Sequence, residues 1–494
     1  RNRLKKLIKM RYKPLLILLI LFAFICGISS ASASDLSNDT DMETYSAEIT
    51  GINNENQSIL TDTGNTVYAN NWNELKTYCE KSDKNYIIHL KENTNFYPDN
   101  GTDYSQQIIV KNNVTIIGSE GSYFGDTNPN PISIYYTPIV TEDDSKISLK
   151  ILNTTFKWMD LEKNIPAESG MFIQMGGNSK DNLLENSTFY NINSGTGHGC
   201  VYYLKRGYAT VKNCSFKNIT TEFGVLSIYD PAEDPTKNCT TAGMLVENCY
   251  FEDNYAHVEP GCINNCGQLI VKNSTFYKNS AFWWAGAIHT HGGANTTIYN
   301  SNFTDNVAGW NGGALYTYSY LQIYNTTFTG NNCTTNNGGG AIGACDYLTK
   351  YYITINNSLF ENNANICKNT GRGGAISVMD EGGLIIHNTK FINNSASIGQ
   401  AICAYYVEGY GDDPDIELIN NTFINHTSAA DTLTIKLKTG TNTTAILKNN
   451  TYLNSTIKLK TFNIVPTHSN IEINKECEFK VIIELENPDG YDKD

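Results

Sequence analysis

Two histidines, His289 and His291, stand two residues apart in a segment that predicts a β-strand. Side chains at that spacing lie on one face of a strand. Two imidazoles on one face can share a zinc ion, but two ligands are too few for a structural zinc site. We therefore predict no metal at this pair.

Aromatic residues flank these histidines in the sequence. Trp283 and Trp284 precede them, and Trp310, Tyr316 and Tyr318 follow about one repeat later. Exposed aromatic rings offer flat faces to sugars or to protein partners. Two interpretations stay open: these seven residues form a ligand-contact patch, or loops cover them and the tryptophans only fill turns.

The elements that position these residues are repeats. The motif Asn-x-x-Phe recurs ten times, with 25 to 35 residues between successive aromatics, and an eleventh copy ends in Tyr452. The copies are Asn153/Phe156, Asn186/Phe189, Asn213/Phe216, Asn248/Phe251, Asn273/Phe276, Asn300/Phe303, Asn325/Phe328, Asn357/Phe360, Asn388/Phe391, Asn420/Phe423 and Asn449/Tyr452. A regular period of this length is typical of solenoid proteins.

The residues before each Phe alternate with the period of a half-buried strand. A branched apolar residue always stands five positions before Phe, as at Val271 and Ile298, and a mostly polar residue follows it. Asn comes just after this strand, where its side chain suits a left-handed turn. We therefore predict one column facing a core and one facing solvent.

A second strand signal follows several of the Phe residues. It comprises Ala285-Gly286-Ala287-Ile288, Gly312-Gly313-Ala314-Leu315, Gly339-Gly340-Ala341-Ile342, Gly373-Gly374-Ala375-Ile376 and Gly399-Gln400-Ala401-Ile402. The glycines permit a sharp corner before an inward apolar residue. The alternation then predicts two outward columns, His289, Tyr316, Gly343, Ser377, Cys403 and His291, Tyr318, Cys345, Met379, Tyr405.

One such repeat cannot bury its own apolar face, but stacked repeats form a continuous core. The fold class we predict is all-β, a parallel β-helix with stacked Phe and Ile columns. Asn repeated in register would form a ladder in which each amide donates to the next copy. The predicted ladder and its partner column are Asn213, Asn248, Asn273, Asn300, Asn325, Asn357, Asn388, Phe216, Phe251, Phe276, Phe303, Phe328, Phe360 and Phe391. Residues 71–81 predict a short capping helix before a first strand at 86–90.

The two ends of the chain differ from the repeats. Residues 1–33 combine a basic segment, an apolar run and Ala31-Ser32-Ala33, which is typical of a secretory signal peptide. We divide the chain into that signal peptide (1–33), a flexible mature N-terminus (34–65), the N-terminal cap and first coils (66–149), β-helix repeats (150–465) and the beginning of a truncated Ig-like β-sandwich (466–494). We expect a secreted protein held at the cell surface through a region beyond this chain.

The composition excludes some classes of protein. The chain is 40% hydrophobic, which is too apolar for a disordered chain. Its 50 acidic against 36 basic residues argue against a nucleic-acid binder. Asn is unusually frequent, at 63 of 494 residues, and the repeat accounts for much of it.

Twelve cysteines remain after the signal peptide, an even number that permits disulfides in a secreted chain. Cys214 and Cys249 occupy the same position of adjacent repeats, but disulfide bridges and a free-thiol ladder both stay open. Several repeat asparagines, such as Asn153 and Asn186, belong to glycosylation sequons. We expect most of these to be poorly exposed.

The pairing of Gly-Gly-Ala-Ile with Phe-x-x-Asn resembles the polymorphic outer-membrane protein repeats of chlamydiae, which also occur in adhesin-like surface proteins of methanogenic archaea. The resemblance covers roughly residues 150–454. It implies a right-handed β-helix displayed for adhesion, followed by an immunoglobulin-like repeat. The 31 Lys against 5 Arg and the abundant Asn favour the archaeal branch.

An enzyme on the same kind of fold is the alternative. Gly197-His198-Gly199 is similar to a polygalacturonase motif, but the acidic motifs that accompany it in that family are missing here. Asp412-Asp413-Pro414-Asp415-Ile416-Glu417 could bind calcium, although it lacks the spacing of a dedicated loop. We predict no catalytic residue and no cofactor, with calcium as a weak alternative.

The leading functional hypothesis is a non-enzymatic adhesin-like protein. It would bind glycans or surface proteins of a host or of neighbouring microbes through the side of the β-helix. A polysaccharide lyase or glycoside hydrolase, and a structural stalk of the cell envelope, are the alternatives.

Overall fold

A computed structural model describes residues 65–142, 145–161, 171–194, 200–229, 241–336, 338–405, 416–427, 430–436, 445–455, 457–461, 471–473 and 481–485. The regular structure is almost entirely β and forms a parallel right-handed β-solenoid of about 11 turns. The predicted β-helix is therefore confirmed. The predicted signal peptide (1–33) and all but the last residue of the predicted N-terminal segment (34–65) lie outside the described residues.

Each full turn contributes strands to up to four parallel stacks. The first stack holds the strands that precede the Phe residues. They are Asn65–Ala69, Tyr86–Leu90, Val114–Ile117, Leu149–Leu152, Asn182–Glu185, Gly207–Lys212, Ala242–Glu247, Gln268–Lys272, Asn295–Tyr299, Tyr320–Tyr324, Ile342–Asn356, Ile376–His387, Ile416–Ile419, Ala445–Lys448 and Ile471–Ile473.

The second stack holds the strands that follow the glycine corners. They are Ile108–Val110, Ile139–Thr141, Met171–Met175, Cys200–Leu204, Leu226–Ile228, Ile263–Asn265, Ile288–Thr290, Leu315–Thr317, the first halves of Ile342–Asn356 and Ile376–His387, Ile402–Tyr405 and Leu433–Lys436. The two long strands thus run through both stacks.

The third stack holds the strands that carry the Phe column. They are Asn95–Phe96, Tyr123–Phe124, Thr155–Leu161, Thr188–Asn193, Ser215–Thr221, Tyr250–Glu252, Thr275–Tyr277, Asn302–Thr304, Thr327–Thr329, Leu359–Glu361, Lys390–Ile392, Thr422–His426 and Thr451–Ser455. The fourth stack is made of short strands, Ser133–Ile134, Tyr255–Ala256, Ser280–Ala281, Val307–Ala308, Asn332–Cys333 and Ala364–Asn365.

The core is a set of stacked apolar columns. The Phe rings from Phe156 to Phe423, with Tyr452 after them, stack face to face with centroids 4.2–5.1 Å apart. The branched residues five positions earlier, such as Val271 and Ile298, are also fully buried. The predicted alternation is confirmed.

The repeat asparagines three positions before each aromatic adopt the left-handed conformation that the sequence predicts. From Asn153 to Asn449 their φ angles lie between 48° and 57°. Their exposed side chains form the outer ladder, in which the amides of Asn186, Asn213, Asn248, Asn300 and Asn325 donate to the asparagine of the preceding turn, as from Asn213 to Asn186 at 3.0 Å and from Asn300 to Asn273 at 3.3 Å. The sequon asparagines of this ladder are exposed, so the expectation of poor exposure is wrong.

A second asparagine ladder lies inside the solenoid. It consists of six asparagines three positions after Phe, all buried: Asn254, Asn279, Asn306, Asn331, Asn363 and Asn394. We call it the inner ladder. Each side chain donates to the next asparagine at 2.9–3.0 Å wherever one follows. His426 takes the equivalent position in the following turn.

The N-terminal helix spans Trp72–Cys79, and a short 3-10 helix spans Tyr104–Gln106. Asn71 caps the first helix, because its side chain accepts a hydrogen bond from the backbone N–H of Glu74 at 2.9 Å. The Trp72 ring packs 6.3 Å from Phe124, so the helix covers the apolar column near its beginning. Within the described ranges, no helix is long and apolar enough to cross a membrane.

The described parts of the tail pair in parallel. Ile471–Ile473 extends the first stack beside Ala445–Lys448, and Val481–Leu485 pairs with Ile457–Thr461. The first pairing continues the first stack, and the second forms a separate two-stranded sheet. Most of the remaining residues of 466–494 lie outside the described part of the chain, so the Ig-like domain stays a prediction.

The ten cysteines in the described part of the chain are free thiols. Cys214 and Cys249 lie in adjacent turns, and each thiol donates to a backbone carbonyl. Burial raises the pKa of the Cys214 thiol well above its usual range. These two residues therefore behave as buried hydrogen-bonding side chains.

Candidate functional site

The predicted site lies on the second stack of strands. Ile263–Asn265 pairs with Ile288–Thr290, which places Asn264 beside His289, and the next pairing places His289 beside Tyr316. The predicted register continues through Gly343, Ser377 and Cys403. The sequence therefore predicted correctly which residues share this column.

A sharp corner returns the chain over this column. A Cβ at Gly286 would lie 2.2 Å from the carbonyl oxygen of Gly313 in the next turn, so only glycine permits the close approach. Ala285 beside it has a φ of 56°, in the left-handed region. The corner brings Trp284 against the next turn, where its backbone pairs with Asn311.

The three tryptophans form a cluster at this corner. The rings of Trp283 and Trp310 stack with centroids 4.8 Å apart, and Trp284 lies 6.5 Å from Trp310. Trp310 is 39% exposed and Phe282 is 61% exposed, whereas Trp283 and Trp284 are half-buried. We call these four residues the aromatic flank.

The column beneath the tryptophans is covered. His289 is 0% exposed and Tyr316 is 3% exposed. Trp284 stacks on Tyr316 at 6.0 Å and meets His289 edge to face at 5.8 Å. The prediction of an exposed row is therefore wrong for His289 and Tyr316, because the turn folds back and buries them.

These residues join a second apolar cluster outside the main core. Tyr316, Cys345, Met379 and Cys403 are buried in it, with Ala285 at the corner. Tyr318 and His291, at the edge of the column, keep part of their surface exposed. Five of the seven predicted ligand-contact residues thus remain accessible.

A buried carboxylate completes a polar cluster that the sequence did not predict. Glu259 lies in the turn before Ile263–Asn265 and is 5% exposed. Glu259, His289 and His291 each offer one potential ligand atom, and these three atoms lie within 4.8 Å of one another. The three side chains come from two successive turns of the solenoid.

The contact between Glu259 and His289 is close but is not a hydrogen bond. Oε2 of Glu259 lies 2.8 Å from Nδ1 of His289. The two atoms do not have the geometry of a hydrogen bond. Among the described residues, neither this oxygen nor either ring nitrogen of His289 has a hydrogen-bond partner. We therefore treat the pair as two unpaired groups that converge.

His291 differs because a neighbouring amide orients it. Its Nε2 lies 2.8 Å from Oδ1 of Asn264, whose Nδ2 in turn donates to Ser227 Oγ at 3.4 Å. An amide oxygen only accepts, so Nε2 of His291 carries the proton. Nδ1 is then left with a free lone pair.

Burial shifts the titration of all three groups. It raises the pKa of Glu259 to about 7, with a smaller opposing effect from His291. It lowers the pKa of His289 to about 3. Burial, followed by the neighbouring His289, lowers the pKa of His291 to about 3, against an opposing effect of Glu259. Both imidazoles are therefore neutral at neutral pH, which is the form that binds metals.

Two other predicted features fall largely outside the described residues. Gly197-His198-Gly199 lies outside them, and so do the first four residues of the acidic segment 412–417. Glu417 is described, and its carboxylate lies 2.6 Å from Nε2 of His387 at a half-exposed position. The calcium hypothesis and the similarity of His198 to a catalytic motif therefore stay predictions.

The sequence held one signal for Glu259. Both Glu259 and Trp284 stand two positions before a glycine that leads into a second-stack strand, at Gly261 and Gly286. Aligning these corners brings Glu259 one turn before Trp284, next to the His289 column. The alignment of the Gly-Gly-Ala motifs omitted this turn, because it reads Gly261-Cys262-Ile263 instead.

A family model described as a right-handed β-helix region matches residues 139–328. Together with the solenoid, this match shows a β-helix repeat protein. No curated protein sequence matches the chain.

Three solved structures are similar to the chain at low identity. A mannuronic acid-specific polysaccharide family 6 lyase from human gut microbiota shares 9% identity, over 81% of this chain and 87% of that one, with a TM-score of 0.30. The catalytic domain of a GH87 alpha-1,3-glucanase shares 13%, over 85% and 69%, with a TM-score of 0.29. The PL6 family alginate lyase AlyGC shares 8%, over 84% and 100%, with a TM-score of 0.29. At these values the structures carry no argument about activity.

Proposed function

We propose that this β-helix repeat protein is a non-enzymatic, adhesin-like protein of the cell surface that binds neutral glycans through its aromatic flank. The observation that carries this proposal is the stacked pair of Trp283 and Trp310 beside the exposed ring of Phe282. Such rings present flat apolar faces, on which the C–H faces of sugar rings pack.

The size of the flank favours a glycan over a protein. Stable protein–protein interfaces bury about 800 Å² on each partner. Four aromatic side chains from two adjacent turns offer less than this and match one or two sugar rings. The predicted protein partners are therefore the weaker alternative.

The charge of the chain favours an uncharged glycan. Its 50 acidic residues against 36 basic ones repel anionic polysaccharides. Placement at the cell surface rests on the sequence of residues 1–33 and on the resemblance to adhesin-like repeats. The partners would be glycans of a host or of neighbouring microbes.

Binding of the full chain to a glycan array, followed by calorimetric titration of the glycans that bind, tests the proposal. Trp310→Ala and Phe282→Ala should each weaken binding by about tenfold or more, because aromatic side chains dominate such contacts. Tyr68→Ala is the matched control, since Tyr68 is 66% exposed but belongs to the first strand, Asn65–Ala69. Unchanged affinity in both flank variants would contradict the proposal.

The same polysaccharides should be assayed for new reducing ends and for unsaturated products. We expect binding without turnover. Product formed by the wild-type chain would instead favour the alternative of a polysaccharide-degrading enzyme.

A further inference from the structure

We propose that Glu259, His289 and His291 bind one Zn²⁺ ion, which links two successive turns of the β-helix beneath Trp284. One carboxylate and two imidazoles are a donor set that zinc uses in proteins, with a fourth position left for water or another ligand. This inference is independent of the glycan-binding proposal.

The spacing of the three groups fits a single ion after small movements. Ligands of a tetrahedral zinc ion lie about 3.3–3.6 Å apart, given bonds of about 2.0–2.2 Å. Glu259 Oε2 and His289 Nδ1 are 2.8 Å apart, and all three ligand atoms lie within 4.8 Å of one another. Movements of the ligand atoms by about 1 Å bring the set to this geometry.

Three polar atoms of the cluster lack hydrogen-bond partners. Within the described part of the chain, Glu259 Oε2 and both ring nitrogens of His289 are buried without a hydrogen bond. Burial of an unpaired carboxylate is unfavourable unless a counter-charge or a hydrogen bond compensates it. A bound dication would supply that charge to all three groups at once.

Asn264 orients His291 in the way that metal-binding histidines are commonly oriented. A metal-binding histidine usually donates its second ring N–H to an oxygen acceptor, which fixes the tautomer. The Asn264 oxygen accepts from Nε2 of His291, and Ser227 holds the Asn264 amide in that orientation. Because Asn264 occupies Nε2, Nδ1 is the ring nitrogen of His291 that can bind the ion.

A second histidine–carboxylate pair shows what an ordinary pair looks like in this fold. His387 Nε2 lies 2.6 Å from Glu417 Oε1 with hydrogen-bond geometry, and both side chains are about one-third exposed. The pair around Glu259 is buried, misaligned for a hydrogen bond and joined by a third donor.

Titration calorimetry with ZnCl₂ on the metal-free full chain should give one Zn²⁺ per chain at this site. Co²⁺ should replace it, giving visible absorption bands of a cobalt–imidazole site and quenching of tryptophan fluorescence, because Trp284 lies 5.8 Å from His289. Glu259→Gln and His291→Gln should each weaken Zn²⁺ binding at least tenfold and abolish the cobalt bands. His387→Gln is the matched control and should leave both unchanged.

Metal-free circular dichroism checks that each variant is folded. If Glu259→Gln does not fold, His291→Gln decides the matter, because His291 is the least buried of the three residues. The proposal fails if the wild-type chain binds no Zn²⁺, or if folded His291→Gln binds it as tightly as the wild type.

Discussion

The outer and inner asparagine ladders use the same residue for different physical reasons. In the outer ladder, every asparagine has a φ near 50° and an exposed side chain, and several of these side chains, such as that of Asn300, donate one amide hydrogen bond to the next asparagine of the row. In the inner ladder, Oδ1 of Asn306 accepts from both the backbone N–H and the Nδ2 of Asn279, and Nδ2 of Asn306 donates to Phe276 and Asn331. The outer position selects a backbone conformation, whereas the inner position selects a fully satisfied buried amide.

The inner ladder should be the more sensitive of the two. Asn306→Ala removes four buried hydrogen bonds, each worth about 0.5–1.5 kcal/mol, and it leaves the backbone N–H of Asn279 without its partner, which costs about 1–3 kcal/mol. Water and small shifts of the neighbouring groups offset part of this cost. We therefore expect the free energy of unfolding to fall by about 4 kcal/mol. Chemical denaturation followed by circular dichroism measures it. A loss below about 1 kcal/mol would mean that the inner amides contribute no more to stability than ordinary surface hydrogen bonds do.

The C-terminal end of the inner ladder should respond to pH. Burial lowers the pKa of His426 to about 4, from an ordinary value of 6.5. Between these values the folded state binds fewer protons than the unfolded state, so its stability falls as the pH falls. A shift of this size corresponds to about 3 kcal/mol at most.

His426→Asn would extend the inner ladder and remove this titration. The loss of stability from pH 7 to pH 4 should then shrink by up to about 3 kcal/mol relative to the wild type. Denaturation curves at several pH values measure the difference. Parallel pH profiles of the two proteins would show that His426 is already accessible to protons in the folded state.

The outer ladder should report the cost of its backbone conformation. Asn300→Ala places a residue that disfavours positive φ at a φ of 48°, which costs about 1 kcal/mol. Asn300→Gly keeps the conformation accessible and removes only the exposed amide, so we expect a change within about 0.5 kcal/mol. Comparing the denaturation midpoints of both variants with that of the wild type separates the two effects. Equal losses would mean that the amide row itself matters.

A second exposed position offers the smallest effect, in the opposite direction. Lys278 has a φ of 55°, where other turns carry Asn191, Asn218 and Asn362. Lys278→Asn should therefore raise stability by about 0.5 kcal/mol, because Asn tolerates this conformation better than Lys. Thermal melting of the two proteins detects a gain of this size. A decrease would indicate that the contact of Lys278 with Tyr277 outweighs the backbone preference.

The sequence was most informative where each residue's environment repeats in every turn. Residues at a fixed distance from Phe, such as Val271 and Asn273, met the same surroundings again and again, so their burial and backbone conformation could be predicted. The capping helix was also predictable, because Asn71 and its apolar face follow local rules. The position of the second asparagine was visible, but not its burial, since it depends on how the chain turns after the Phe strand.

The candidate site was less predictable because it is built by turns of unequal length. Whether Trp284 projects outward or folds onto His289 depends on the corner at Ala285 and Gly286, which no alternation encodes. Glu259 belongs to another turn, and only the stacking of the two turns brings it to His289. Contacts between turns that lack the repeat motif produce no periodic pattern in the sequence.

The two ladders also differ in direction. Hydrogen bonds between outer amides run toward the beginning of the chain, as from Asn300 to Asn273, whereas hydrogen bonds between inner amides run toward its end, as from Asn306 to Asn331. The amide dipoles of the two rows therefore point in opposite directions along the axis and oppose each other. In an α-helix the peptide dipoles add along the axis and give its ends partial charges. Where both ladders are present, added turns can extend this solenoid without building up such a charge from its asparagines.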